Sequence, residues 1–130
     1  MLQQDNRLRK LRDFNLVLKH GNWVNGQFLD IKTLELAKNT KFFPEKEDVD
    51  SFQNQLKLAI SVGVKVHKSA VKRNRARRQI REVLRLLLKD GAIKNGYYIL
   101  VVAKKDVLTK DYATISQEIK VLLNKAKVLK

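Results

Sequence analysis

The chain has no cysteine, so neither a disulfide framework nor a thiolate metal site can be built from it, and a reducing compartment suits it. Histidine is almost as scarce, with His20 and His67 alone. No Gly-rich phosphate loop, Ser-His-Asp order or isolated acidic pair in apolar surroundings occurs, which removes common signatures of protein-based hydrolysis and nucleotide binding. We therefore expect no catalytic residue, no metal site and no cofactor held by the protein alone. Long apolar runs are missing as well. Residues 1–7 carry no apolar h-region, and no segment approaches the roughly 18 consecutive apolar residues that a membrane helix requires. A cytoplasmic protein without membrane attachment is expected. Proline occurs once, at Pro44, beside the acidic run Glu45-Lys46-Glu47-Asp48-Val49-Asp50, and residues 38–54 read as an exposed loop.

Acidic residues are the other shortage: 13 Asp plus Glu face 28 Lys plus Arg, a formal net charge of +15 over 130 residues. So large an excess destabilises the compact state by self-repulsion, and it makes sense if a polyanion neutralises it. Nucleic acid is the leading candidate. A membrane surface fits less well, because the basic residues are patterned among core-forming residues rather than gathered in a juxtamembrane cluster. With 44% hydrophobic side chains, the chain can bury a modest core, and residues 1–130 are expected to form one domain.

What is present reads as an α+β chain. Phe14, Val17 and Leu18 recur at i, i+3 and i+4 between Asp13, a candidate N-cap, and Gly21, a stop, which predicts a short helix. Residues 23–37 alternate imperfectly, with Phe28, Leu29, Ile31, Leu34 and Leu36 among them, and predict one long strand with a bend or bulge. Leu56, Leu58, Ile60 and Val62 alternate with Lys57, Ala59 and Ser61, the period of a strand with one buried face. Residues 97–103 form a continuous apolar run, as in a central strand covered on both faces. Tyr112, Ile115, Ile119, Leu122 and Ala126 recur at helical spacing and predict a terminal amphipathic helix. The strands on either side of the helix at residues 69–90 can lie parallel in one sheet.

That helix carries two demands on two faces. At about 100° per residue, Ala76, Ile80, Val83, Leu84 and Leu87 form an apolar stripe, while Asn74, Arg77, Arg78, Arg81 and Arg85 form a second stripe turned well away from it. An ordinary solvated face would mix signs to gain i,i+4 pairs. Here Glu82 is the only acid in the basic segment, and Arg77/Arg81 and Arg81/Arg85 are like-charge i,i+4 pairs that cost a few tenths of a kcal/mol each. Arginine is also chosen over lysine, and its planar fork can hold phosphate oxygens in pairs and stack on bases. Binding of a polyanion explains the stripe better than solvation does.

The segment Ala70-Val71-Lys72-Arg73-Asn74-Arg75-Ala76-Arg77-Arg78-Gln79-Ile80-Arg81-Glu82 resembles the RNR signature of the bacterial ribonuclease P protein component. The resemblance extends upstream through residues 60–69, downstream to residues 98–105, and includes Leu11-Arg12-Asp13-Phe14 with Lys19-His20-Gly21. It implies a small α/β sandwich, ribosomal protein S5 domain 2-like, with a mixed sheet of about four strands and three helices. The resemblance also implies an unusual left-handed crossover, which element order alone does not supply.

In that family the catalyst is the RNA subunit, with magnesium at the RNA active site, and the protein assists binding of precursor tRNA. The resemblance accordingly implies the non-catalytic subunit of an endonuclease that removes the tRNA 5′ leader, inactive on its own and without an obligate protein partner. It assigns Arg73, Asn74, Arg75, Arg77, Arg78 and Arg81 to the ribonuclease P RNA. It assigns the leader to a cleft between the first helix and the sheet, with Phe14, Leu18, Phe28, Ile31, Lys32 and Lys65 as the matching positions. Leu18 and Ile31 stand where relatives place further aromatics, and Gly63-Val64-Lys65 stands where relatives carry a Ser-Lys-Lys run. Both departures imply weaker stacking or fewer cations there. Phe14 also suits plain core packing, and Trp23 and Tyr97, able to stack on bases, equally fill strand starts. His67 reads as a polar contact before the arginine helix. A structural ribosomal-type RNA-binding protein explains the charge and size but not the Arg-Asn-Arg spacing. A DNA reader would need a groove-entering element that the sequence lacks.

Overall fold

The computed structural model describes residues 6–39 and 54–130, so the acidic run and Pro44 lie outside the described residues. Helix α1 (Leu11–His20) leads into β1 (Asn22–Asn25) and β2 (Leu29–Glu35); β3 (Leu56–Ser61), α2 (Ala70–Lys89), β4 (Tyr97–Ala103), a short 3-10 turn (Lys105–Thr109) and α3 (Tyr112–Lys125) follow. The sheet order is β1-β2-β4-β3. β4 pairs antiparallel with β2 and parallel with β3, so the continuously apolar run is central, as its composition predicts. Three helices and a mixed four-stranded sheet make the expected α+β architecture.

Two sequence expectations need correction. Residues 23–37 are a hairpin rather than one bent strand: β1 turns at Gly26 and returns as β2, with Val24 opposite Ile31 and Trp23 opposite Lys32. A Cβ on Gly26 would sit 2.4 Å from the Leu29 carbonyl oxygen and 3.0 Å from Leu122, so the turn needs glycine. Its amides are held by α3, because Gln27 and Phe28 N–H donate to the two Glu118 carboxylate oxygens at 3.0 Å each. Asp13, read as an N-cap, instead lies in the first turn of α1, whose N-cap is Lys10. It is buried and paired with Arg12 at 3.0 Å.

Period-two alternation divides the sheet residues between two cores. Leu29, Ile31, Leu58, Ile99 and Val101 face α2 and α3, meeting Ile80, Leu84, Ile115 and Ile119. Leu34, Tyr98 and Leu100 face the other way and meet Val17 of α1 and Leu8, with Phe14 and Leu16 half-buried on the rim. Gly21 allows the end of α1 to lie this close to β2, since a Cβ there would meet the Val17 carbonyl oxygen at 2.5 Å and the Lys32 chain at 2.9 Å. One sheet face is thus sealed by two helices, and the other is covered by α1 with part of its row left open.

Candidate RNA-binding surfaces

The first surface is built by α2. Ser69 caps the helix by accepting from Lys72 N–H at 3.4 Å, and Ser69 N–H in turn donates to His67 Nδ1 at 2.8 Å, the polar contact expected of that histidine. The buried residues of α2 are Ala76, Ile80, Val83, Leu84 and Leu87, the whole of the predicted apolar stripe. Fixing that stripe in the core fixes the opposite face outward. Asn74, Arg77, Arg78 and Arg81 line one shallow depression of about 420 Å³ together with Val71, which is 75% exposed. Arg77 is oriented within it, donating to Asn74 Oδ1 at 2.6 Å and reaching the Val62 carbonyl at 3.5 Å.

Arg73 and Arg75 do not join this depression. At about 100° per residue they project to either side of the stripe. Arg75 is exposed. Arg73 borders the core, and its Nε is buried with no hydrogen-bond partner among the described residues. Arg85 continues the stripe but is held by Glu82 through two hydrogen bonds, 3.0 and 2.7 Å. Hydrogen bonding to Arg85 draws the Glu82 carboxyl below its ordinary range, so the pair persists at neutral pH.

Sequence reasoning missed the contribution of the N-terminal segment. Arg7 bridges in parallel to Leu58, and Leu8 N–H donates to the Leu58 carbonyl at 2.9 Å, so residues 7–9 run along the open edge of β3. Arg7 and Arg9 thereby line a cavity of about 310 Å³ with Arg77, Arg81, Leu58 and Ile60. Arginines from the N-terminal segment and from mid-chain converge there. Only the edge pairing, invisible before the topology is known, brings them together.

The second surface lies between α1 and the sheet. Strand register places Trp23, Lys32, Leu100 and Ala59 in one row facing α1, and Asn25, Asp30, Val102 and Ser61 in the next. Phe14 is half-buried against this side, and Leu18, at i+4, is 41% exposed. Lys32 faces α1, but it is 7% exposed and its Nζ donates to the Leu18 carbonyl, so the ammonium is a fixed part of the wall. Lys65 is exposed in the turn after β3, off the sheet.

Phe28 and Ile31 must be removed from this cleft. Both lie in the core on the opposite side of the sheet, 3% and 0% exposed: Ile31 because β2 alternates Ile31 and Lys32 between faces, and Phe28 because it precedes β2, in the turn that docks on α3. Lys57, opposite Tyr98 in the register, shares the α1 face instead. Asp30 adds a carboxylate to the floor, neutralised by Lys104 Nζ at 3.1 Å.

A sheet sealed on one side by two helices, with a polar arginine stripe and an open α1 groove, defines a basic α/β protein suited to holding a polyanion. A family model for ribonuclease P matches residues 2–127. The chain is 32% identical over 130 residues to the ribonuclease P protein component of Cyanothece sp., covering 99% of this chain and 98% of that one. To the Synechococcus sp. protein component it is 36% identical over 129 residues, covering 99% and 87%. The ribonuclease P protein from Staphylococcus aureus superposes with a TM-score of 0.72 at 25% identity, covering 100% of this chain and 96% of that one. The chain belongs to the ribonuclease P protein family.

Proposed function

We propose that this chain is the protein subunit of a bacterial ribonuclease P. In this reading it binds the catalytic RNA and the 5′ leader of precursor tRNA, and assists endonucleolytic removal of the leader to form the mature tRNA 5′ end. The observation that carries the reading is the α2 depression, where Asn74, Arg77, Arg78 and Arg81 converge on one outward face while the opposite stripe is locked in the core. Arginine forks displayed on a rigid helix can engage successive phosphates without reorganising. Arg7 and Arg9 widen the same field around Arg77 and Arg81. The α1 groove then takes the leader, with Phe14 offering a ring edge for an unpaired base and Leu18 an apolar rim, a combination that tolerates varied sequence.

The protein supplies binding and orientation; phosphodiester cleavage belongs to the RNA, with magnesium at its active site. Among the described residues no group of three or more His, Cys, Asp or Glu side chains could hold a metal ion, and no step is assigned to a metal on the protein. No helix among the described residues is long and apolar enough to cross a membrane, and the reading locates the protein with its RNA partners in the cytoplasm. The division of labour is testable by measuring two affinities. Neutralising Arg77, Arg78 and Arg81 together should weaken association with ribonuclease P RNA more than discrimination of precursor from mature tRNA by the holoenzyme. Phe14→Ala should do the reverse. Equal effects on both readouts would overturn the division.

A further inference from the structure

Trp23 is the only tryptophan of the chain, and it is 46% exposed on the edge strand β1. Tyr112 is the other large aromatic left exposed among the described residues, and exposure alone implies no occupant; the setting of Trp23 does. Two features of its setting point to what that occupant is. Its register partner is Lys32, whose ammonium lies 4.9 Å from the indole centroid and is fixed by donation to the Leu18 carbonyl. One side of the ring is therefore already engaged by a cation, and its remaining surface is open. Trp23 also begins the row Trp23, Lys32, Leu100, Ala59 that faces α1. With strands about 4.8 Å apart, it stands roughly 10 Å from Leu100, a member of the small core on whose rim Phe14 packs.

We infer that Trp23 is a stacking platform for an unpaired RNA base, extending the α1 groove to the sheet edge. A base is the fitting occupant because the neighbouring Lys32 repels a second cation, while the +15 chain draws in a phosphate backbone that carries the base to the ring. An aromatic ring accepts any base through its π-face, and a larger purine face stacks over more of an indole. Trp23 thus adds a contact whose value depends on the leader being long enough to reach the edge strand. This inference rests on the leader-groove reading.

The test uses the full chain and a short oligoadenylate as probe, with the single tryptophan as reporter. Saturable quenching of tryptophan emission is expected with the oligoadenylate, and little with a duplex of the same length. In a filter-binding assay Trp23→Leu should weaken oligoadenylate binding roughly ten-fold, with Trp23→Phe retaining most of it. If Phe14→Ala weakens binding while Trp23 neither quenches nor responds to Trp23→Leu, the Trp23 inference falls and the groove survives. If neither variant alters binding, both fall. Equal quenching by duplex, or quenching that follows protein concentration without RNA, would also overturn the stacking platform.

Discussion

Replacing Arg77, Arg78 and Arg81 together with glutamine should lower RNA affinity and leave the fold intact, and the size of the first effect follows from counting charges. These side chains line one depression on α2. If each neutralises one phosphate, each contributes about 0.7 to 0.9 to the slope of log affinity against log salt, so the triple variant should lose about 2.1 to 2.7 from that slope. Across a rise from about 50 to about 200 mM salt, wild-type affinity for ribonuclease P RNA should then fall about 20- to 40-fold more than the variant's. Stability should respond differently. The variant removes the Arg77/Arg81 and Arg81/Arg85 like-charge pairs and, against that gain, the Arg77 bonds to Asn74 and Val62. The net change should stay within about 0.5 kcal/mol. Filter binding at several salt concentrations and thermal unfolding by circular dichroism give the two numbers. Parallel salt slopes, or an affinity loss matched by a collapse in melting temperature, would refute the reasoning.

Ile31→Ala should cost about 2–5 kcal/mol in urea unfolding, because Ile31 is 0% exposed in the larger core. Leader affinity of the folded fraction should be unchanged, and a selective leader defect would contradict the register. Burial, reinforced by Asp13, pushes the Tyr98 phenol up to about 12. The fold prefers the neutral phenol, so this contribution is intact below the ordinary tyrosine value of 10.0 and is lost as pH rises toward about 12. Urea midpoints should fall over that window in wild type and less in Tyr98→Phe; identical declines would exclude Tyr98 as the cause. Glu82→Gln should release Arg85 from its pair and steepen the salt slope by up to about 0.9. An unchanged slope would mean that Arg85 does not reach RNA.

The arginine helix is legible in the sequence, because a period of 3.6 separates its stripes and each has only one chemical use. All five buried residues of α2 were on the predicted stripe. The hairpin was harder. Apolar and polar residues alternate on both sides of the turn, and the signal against one long strand was the Asn25-Gly26 pair, a favoured hairpin turn. Ile31 falls on the face opposite Lys32 because one residue along a strand turns a side chain to the other face, whereas Phe28 precedes β2 and the docking of its turn on α3, not strand alternation, sets its side. Trp23 and the Arg7, Arg9, Arg77, Arg81 cavity depend on which strands become neighbours, and local periodicity does not encode that.

The decisive assay adds the purified protein to a bacterial ribonuclease P RNA at low magnesium and measures 5′ processing of precursor tRNA. The expected result is cleavage at the mature 5′ end, strongly stimulated by the protein and absent when the RNA is omitted. No stimulation, or cleavage by the protein without the RNA, would contradict the account.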